Sequence, residues 1–156
     1  MRLKNKTAII TGGGEGIGRA TALLFCIEGA KVGIMGRTKS KLDTVVGELE
    51  GRGEIVAYQG DVSVEEDVKR VVEQFFGRFG RIDVLFNNAG IMEPGTVITT
   101  PTDVWDRTID INVKGIYLMS KYVVPIMVKN GGGSIINNSS VLGIVGMENC
   151  VAYNAS

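Results

Sequence analysis

The chain has 156 residues, 44% of them hydrophobic and 22% charged, and its 17 basic side chains balance 17 acidic ones. This composition predicts a soluble globular protein with one domain over residues 1–156, and it excludes a disordered chain. Zero net charge favours neither nucleic acid nor a membrane as a partner, and no leader or membrane-length apolar run is recognisable, so we expect a cytoplasmic protein. The absence of histidine excludes Ser-His-Asp and Cys-His catalysis and His-ligated zinc, and we expect no metal site.

The hydrophobic pattern predicts short apolar strands that alternate with amphipathic helices. Such alternation is typical of βαβ units, which place parallel strands in one sheet and give an α/β fold. The predicted strands cover residues 8–10, 31–36, 54–59, 82–86 and 134–138. The predicted helices cover residues 16–28, 39–50, a stretch that begins after Ser63, and residues 110–129.

Local signals predict how these helices begin, end and pack. Ser63 is expected to cap the third helix, with Glu66 completing a capping box. Thr102 is expected to cap a segment that leads into the last helix, and Pro125 to kink that helix or end its regular part. The last helix is apolar on most of its circumference, which predicts deep burial or packing against another subunit. One apolar stripe marks the first helix: Ala20, Leu23, Leu24 and Ile27.

A glycine-rich turn joins the first strand to the first helix. After Thr11 the chain has the spacing Gly12-x-x-x-Gly16-x-Gly18, with further glycines at positions 13 and 14. A strand, a glycine turn and a helix in this order predict a pyrophosphate site, because glycines admit the ligand and the N–H groups at a helix start attract an anion. The spacing is neither G-x-G-x-x-G nor the Gly-Lys-Ser/Thr loop of nucleotide hydrolases. The alternative is an ordinary turn that is rich in glycine.

Polar residues follow three later strands, at the edge where open α/β sheets bind ligands. Asp61 could accept a hydrogen bond from an adenine amino group, or it could simply lead into the next helix. The segment Asn87-Asn88-Ala89-Gly90 could tie strand ends together and leave space for a ribose, or it could be a plain turn. Ser140 and Tyr153 could hold a carbonyl oxygen and deliver its proton, although such a pair alone is more often coincidence.

Together these motifs resemble the classical short-chain dehydrogenase/reductase family from the first strand to the last residue. They occur in the family's order: TGGGEGIG from Thr11, Asp61-Val62, NNAG from Asn87, Asn112-Val113-Lys114-Gly115, and Ser140 with Tyr153-Asn154-Ala155-Ser156. The resemblance implies a Rossmann-like doubly wound parallel sheet, with five strands in this sequence and the family's last two strands missing.

The resemblance also implies roles for individual residues. Tyr153 would be the general acid/base, Ser140 would position the substrate oxygen, and Asn112 would anchor a water in a proton relay. Asp61 would hold adenine, and Asn88 would lie beside the adenosine ribose. Gly12, Gly16 and Gly18 would seat the pyrophosphate. The full set of residues predicted to bind the cofactor is Thr11, Gly12, Gly14, Glu15, Gly16, Ile17, Gly18, Arg37, Asp61, Val62, Asn88, Ala89 and Gly90.

The function implied by the resemblance is an NAD(P)-dependent oxidoreductase that interconverts a secondary alcohol and a ketone by hydride transfer. Reduction of a ketone leaves an alkoxide that must be protonated, and a phenol with a pKa of about 10 needs a nearby cation to do this at neutral pH. In the family this cation is the lysine of Tyr-x-x-x-Lys, and the sequence stops at Ser156, one residue before it. We therefore interpret the sequence as the front part of a longer enzyme.

Two alternatives remain open. One is a true short form that would bind cofactor weakly, turn over very slowly and leave its fifth strand as an open edge. The other is a catalytically inactive nucleotide-binding or assembly module.

The signals for cofactor choice are mixed. An acidic residue that binds the ribose of NAD would stand at the end of the second strand, where this chain has Gly36 followed by Arg37. An arginine at this point favours the 2′-phosphate of NADP. Glu15 favours NAD, because relatives that prefer NADP often carry a basic residue there. NADP is the preferred prediction, with NAD as the alternative.

The expected partners are a small alcohol or carbonyl substrate and, from the family, further copies of the chain in a homodimer or homotetramer. The predicted wall of the substrate pocket suggests a partly apolar substrate. It comprises Ile91, Met92, Glu93, Leu142, Val145 and Met147.

Overall fold

A computed structural model describes residues 1–49, 51 and 53–156, and in it five parallel strands form one sheet in the order β3-β2-β1-β4-β5. The strands are β1 (Thr7–Thr11), β2 (Lys31–Gly36), β3 (Glu54–Gln59), β4 (Val84–Asn87) and β5 (Ser134–Asn137). The helices are α1 (Gly16–Ile27), α2 (Lys39–Glu48), α3 (Glu65–Phe79), α4 (Thr102–Ile109), α5 (Gly115–Lys129) and α6 (Val151–Asn154). A π-helical segment, Asp110–Lys114, joins α4 to α5, and a 3₁₀ turn covers Val141–Gly143.

Helices cover both faces of the sheet, which confirms the doubly wound parallel architecture. Successive residues of a strand point to opposite faces, so Ile9 packs into one core and Ile10 into the other. The core around Ile9 contains the inward sides of α3 and α5, and the core around Ile10 contains those of α1 and α2. β1 is buried along its whole length because it lies at the centre of the sheet.

The predicted strands agree closely with the observed ones. β2 and β3 have the predicted bounds, whereas β4 begins at Val84 rather than at residue 82. β5 ends one residue earlier than predicted, at Asn137, and forms one edge of the sheet. The predicted end of the second helix, Glu50, lies outside the described residues.

The apolar stripe on α1 is only in part the buried face of that helix, because Leu23 packs against the core from a partly buried position. Leu24 and Ile27 are 49% and 58% exposed, and the buried residues are Gly18, Ala22 and Cys26. Small side chains at these three positions let the helix lie close against the sheet, so close packing replaces the expected contact through long aliphatic side chains.

Both predicted helix caps are wrong. Val64 occupies the N-cap of α3, and the Ser63 hydroxyl instead donates to the Asp61 carboxylate at 2.7 Å, so no capping box with Glu66 forms. Thr102 is the first residue of α4, after Pro101 at the N-cap. A proline fits this position well because its φ is compatible with the approach to a helix.

The last predicted helix also differs from the observed one. The helical segment begins at Thr102 and runs through the π-helical segment into α5, so residue 110 is not its start. α5 continues past Pro125 to Lys129. Leu118, Met119 and Val123 are buried, but Tyr117 and Val128 on the same helix are exposed.

The strand order creates a crevice at the carboxyl edge of the sheet. β2 and β3 follow one another on one side of β1, and β4 then lies on the other side of β1. The loops after β1 and β4 therefore diverge, which is the point where open α/β sheets bind ligands. No helix in the described residues is long and apolar enough to cross a membrane.

Candidate functional site

The glycine turn after β1 adopts a backbone that requires glycine. Gly12 and Gly16 have φ values of +66° and +53°, in the left-handed region that side chains disfavour. Gly18 is needed for space, because a Cβ at this position would lie 2.2 Å from the carbonyl oxygen of Gly12 and 2.6 Å from Nδ2 of Asn88. The start of α1 is thus held directly against the turn, and its first two residues, Gly16 and Ile17, line a cleft at this edge.

Thr11 and Asn88 join the turn to the end of β4. The Thr11 hydroxyl accepts hydrogen bonds from the backbone N–H groups of Asn88 and Ala89, at 2.9 and 3.0 Å. The amide Nδ2 of Asn88 donates to the carbonyl oxygens of Thr11 and Gly12, at 3.1 and 3.5 Å. These contacts fix the two diverging loops relative to each other.

A first cleft lies on the β2 and β3 side of this junction. Asp61 lies in its wall, where Oδ1 accepts from the backbone N–H and the hydroxyl of Ser63. The backbone N–H of Asp61 donates to Asp67, and this bond, together with the Arg70 guanidinium, holds the pKa of Asp67 below its usual range. An ionised Asp67 therefore pins Asp61, whose Oδ2 has no hydrogen-bond partner among the described residues.

Two cations and one carboxylate lie at the rim of the first cleft. Arg37 is exposed and follows β2 directly, and Lys41 projects from the first turn of α2. Nζ of Lys41 lies 2.6 Å from a carboxylate oxygen of Glu15. Lys41 thus pairs with the carboxylate that favoured NAD, and the Arg37 guanidinium has no ion-pair partner among the described residues.

A second cleft lies on the β5 side, and it brings together Asn112, Ser140 and Tyr153. Tyr153 is carried by α6, and its hydroxyl makes no hydrogen bond with the described residues. Ser140 follows β5, and its hydroxyl oxygen accepts from the backbone N–H of Leu142 at 3.2 Å. A phenol and a serine hydroxyl therefore share one cleft with the start of α1.

Asn112 is held by the π-helical segment, and its side chain is engaged with the protein. Its Oδ1 accepts from the backbone N–H of Ile91, and its Nδ2 donates both to the Ile91 carbonyl and to the Ser156 hydroxyl, each at 2.9 Å. The Ser156 hydroxyl donates in turn to the Tyr153 carbonyl at 3.0 Å. Asn112 thus fastens the loop after β4 to the helix that carries Tyr153.

The loop after β4 also pairs with the chain just before α6. The N–H of Gly95 donates to the Asn149 carbonyl at 2.7 Å, and the N–H of Val151 donates to the Gly95 carbonyl at 3.0 Å. These bonds anchor the short helix α6 beside the second cleft.

The apolar part of the second cleft differs from the predicted wall. Ile91 and Met92 line it as expected, but Ile17 and Ile116 supply the rest. Glu93 pairs with Arg107, and Leu142, Val145 and Met147 do not line the cleft. Within the described part of the chain, no three Cys, Asp or Glu side chains are grouped so that they could hold a metal ion.

The predicted site residues separate into three groups. Thr11 and Gly18 line neither cleft, but they contact residues that do, Asn88 and Gly12. The first cleft is lined by Gly12, Gly14, Glu15, Arg37, Asp61, Val62, Ala89 and Gly90. The second is lined by Gly16, Ile17, Asn88, Ala89, Gly90, Asn112, Ser140 and Tyr153.

Lys41 and Asn138 are among the cleft residues that sequence reasoning missed. The position of Lys41 in the first turn of the second predicted helix could have indicated it, since that turn follows the strand that ends at Gly36 beside Arg37. Asn138 contacts Asn88, 50 residues away in sequence, and no local pattern signals such a pair.

Comparisons with known proteins agree with this geometry. The family model described as short chain dehydrogenase matches residues 6–156. The chain is 43% identical to the 3-oxoacyl-(acyl-carrier-protein) reductase FabG of Thermotoga maritima and to an uncharacterized oxidoreductase of Bacillus subtilis, covering 100% and 99% of this chain. It spans 64% and 57% of the length of those two relatives. The crystal structure of a levodione reductase superposes with a TM-score of 0.95 at 36% identity, over 99% of this chain and 61% of that one.

Proposed function

The chain belongs to the short-chain dehydrogenase family, and from this premise we propose that the protein is an NAD(P)-dependent oxidoreductase that interconverts a secondary alcohol and a ketone. The observation that carries the proposal is the juxtaposition of the glycine turn with Ser140 and Tyr153 in the second cleft. Ala89 and Gly90 line both clefts, so a dinucleotide along the carboxyl edge would extend from the first cleft toward these two hydroxyl groups.

The residues present fit a nicotinamide dinucleotide. The cradle between Gly12 and Gly18 leaves no room for a Cβ at residue 18, and the start of α1 presents N–H groups suited to a diphosphate. Asp61 offers Oδ2 to an adenine amino group, and Ala89 and Gly90 line both clefts. The adenosine half would occupy the first cleft and the nicotinamide half the second.

The protein's own residues would supply orientation and the proton. Bound in this way, the cofactor supplies the hydride. The Ser140 hydroxyl would donate to the substrate carbonyl oxygen, and the Tyr153 hydroxyl would deliver the proton that converts the alkoxide into an alcohol. Asn112 would keep Tyr153 in place through Ser156. A water in the proton relay would have to use groups of Asn112 other than the amide hydrogens, since both are engaged.

The shape of the second cleft supports a substrate with an apolar part. Ile17, Ile91, Met92 and Ile116 face the polar side that carries Ser140. Among similar proteins, one is named a 3-oxoacyl-(acyl-carrier-protein) reductase and another a levodione reductase, and both names describe carbonyl reduction. We propose a carbonyl substrate of this general kind for the present chain.

NADP is the cofactor that we propose as preferred. Arg37 lies at the rim of the first cleft, and the Glu15 carboxylate, which would repel a 2′-phosphate, is paired with Lys41. The cleft carries two cations, Arg37 and Lys41, and two carboxylates, and a 2′-phosphate would meet the guanidinium of Arg37, which no carboxylate engages.

A homodimer or homotetramer is a further part of the proposal. α5 exposes Tyr117, Val124 and Val128, which are 60%, 39% and 71% accessible. Burial of such apolar side chains against a second copy would be favourable. Light scattering of the full-length protein tests this directly, because a monomeric mass at working concentration contradicts it.

The experiment that tests the proposed function is the change Tyr153→Phe in the full-length protein. Loss of a general acid/base is expected to lower kcat for NAD(P)H-linked reduction by about 100-fold or more. The assay would use a cyclic ketone, a diketone and a 3-oxoacyl thioester. The Kd of the dinucleotide, measured by fluorescence titration, should stay within about twofold, since the phenyl ring is retained.

Tyr58→Phe is the matched control, because it removes the same hydroxyl from a residue of β3 that lines neither cleft. A wild-type protein that binds neither NADH nor NADPH contradicts the proposal. Full activity of Tyr153→Phe would contradict the role of the phenol, and nucleotide binding with no turnover in the wild type would favour an inactive nucleotide-binding module.

A further inference from the structure

The end of β5 carries an asparagine whose role is not explained by the sheet. Asn138 follows the strand directly, and its backbone N–H donates to the Asn87 carbonyl at 2.8 Å, which completes the pairing of β5 with β4. Its side chain is exposed and lines the second cleft with Ser140 and Tyr153. The side chain is therefore not required to bury surface.

The one hydrogen bond of this side chain within the described residues runs to Asn88. Nδ2 of Asn138 donates to Oδ1 of Asn88 at 3.1 Å. The Nδ2 of Asn88 donates to the carbonyl oxygens of Thr11 and Gly12. This fixes the orientation of the Asn88 amide, because a flipped amide would place its own oxygen against those two carbonyl oxygens. With the amide in this orientation, Oδ1 of Asn88 points to Asn138 and accepts a hydrogen bond from its side chain.

The bond reaches the glycine turn through one intermediate. Asn88 contacts the carbonyl of Gly12, and that carbonyl lies where a Cβ on Gly18 would clash at 2.2 Å. The amide of Asn88 therefore packs at the tightest point between the turn and α1. A change in its orientation would alter the backbone that is proposed to hold the diphosphate.

We propose that Asn138 is a positioning residue for dinucleotide binding, because its amide group donates to Asn88 and thereby fixes the backbone of the glycine turn. This inference rests on the proposed function. Asn138 acts on the turn from the far side of the second cleft, so it couples the strand next to Ser140 to the diphosphate site. The role needs a donor at residue 138, which neither an aliphatic side chain nor a carboxylate supplies.

The neighbouring residue provides a matched control. Asn137 also faces β4, but its Oδ1 is the acceptor, for Nδ2 of Asn87 at 2.8 Å. The other amide atom of Asn87, Oδ1, has no partner in the described structure, so Asn87 is free to keep its amino group toward a carboxylate. Asn137→Asp therefore preserves its cross-strand bond, whereas Asn138→Asp loses its bond. Both changes add one negative charge to adjacent residues of the same segment.

The experiment compares these variants in the full-length protein by titration with NADPH and NADH, followed by steady-state kinetics. Asn138→Asp is expected to raise the Kd of the dinucleotide by about tenfold or more, since it removes a donor and adds a charge near the diphosphate. Asn138→Leu should raise Kd by about three- to tenfold, because it removes the donor alone. Asn137→Asp should change Kd by no more than about twofold.

The kinetic pattern distinguishes positioning from a general loss of structure. In the residue 138 variants the KM for the dinucleotide should rise with Kd, while kcat at saturating cofactor and the melting temperature of the free protein stay close to those of the wild type. The inference is overturned if both residue 138 variants bind as tightly as the wild type, or if Asn137→Asp weakens binding as much as Asn138→Asp. A wild-type protein that binds neither nucleotide overturns the proposed function and the inference with it, whereas tight wild-type binding with unaffected variants overturns the inference alone.

Discussion

Polar groups have different roles at the two ends of the parallel strands, which we call the amino edge and the carboxyl edge of the sheet. At the amino edge, where the strands begin, charged groups are paired with one another: Lys31 with Glu54, and Lys6 and Arg81 with Asp83. At the carboxyl edge, Arg37 and Tyr153 have no side-chain partner among the described residues and line open clefts. The first edge uses its charged groups to hold strands together, whereas the second, besides its own structural hydrogen bonds, leaves some polar groups available for a ligand.

Asp83 is the centre of the amino edge. It is 7% exposed, and its Oδ2 accepts from the backbone N–H of Thr7, from the Thr7 hydroxyl and from Arg81, while Arg81 also reaches Oδ1. Burial by itself raises the pKa of Asp83, but the hydrogen bonds from Arg81 and Thr7 and the charge of Arg81 more than offset it, and the pKa lies below its usual range. The ionised carboxylate thus clamps the start of β1 to the start of β4.

The largest effect on stability is therefore expected from Asp83→Asn. Loss of a buried carboxylate that accepts several hydrogen bonds should lower the free energy of unfolding by about 3 kcal/mol at neutral pH. The Kd of the dinucleotide for the folded protein should be unchanged, since Asp83 lies at the opposite edge from both clefts. Urea unfolding followed by circular dichroism measures the first quantity, and fluorescence titration the second.

The stability contributed by the Asp83 carboxylate should decrease at low pH. A carboxyl whose pKa is lower in the folded state stabilises the fold fully above its unfolded pKa of about 4, and that contribution is lost as the pH falls from there through the folded pKa. The difference between wild type and Asp83→Asn should therefore shrink below about pH 4. Glu54→Gln is the control at the same edge, because its ion-pair partners are largely exposed and its loss should matter little. A weaker dinucleotide affinity in Asp83→Asn would contradict the division between the two edges.

The sequence predicted the architecture because the fold depends on patterns that are local. Apolar runs of three to six residues separated by amphipathic stretches suffice to predict parallel strands, and the bounds of β2 and β3 were predicted without error. The carboxyl edge followed from the same pattern, since Asp61, Asn88 and Ser140 come soon after strands. The family of the chain was identified from these residues and their order, and the family model confirms it.

The wrong predictions share a physical cause. In each case a contact that local sequence patterns do not show, either with another side chain or with the sheet, decides the structure. Ser63 does not cap α3 because Asp61 attracts its hydroxyl, and the buried side of α1 was assigned in part to the wrong residues because close approach to the sheet favours Gly18 and Ala22 over long side chains. The π-helical segment that carries Asn112 has no sequence signature of its own. Lys41 and Asn138 act through partners 26 and 50 residues away.

The smallest effect belongs to the rim of the first cleft, where Arg37 should discriminate between the two nucleotides. An exposed guanidinium beside a 2′-phosphate is worth about 1 kcal/mol, so Arg37→Ala should raise the Kd of NADPH about five- to tenfold and that of NADH by less than twofold. Because the interaction is solvent-exposed, the difference should narrow at high salt. Lys39→Ala is the matched control, since this lysine is two residues away and is paired with Asp43 at 2.7 Å. An equal rise in the Kd of both nucleotides in Arg37→Ala would contradict the preference for NADP. It would mean that Arg37 stabilises the structure of the rim, as Asp83 stabilises the opposite edge, and does not bind the 2′-phosphate.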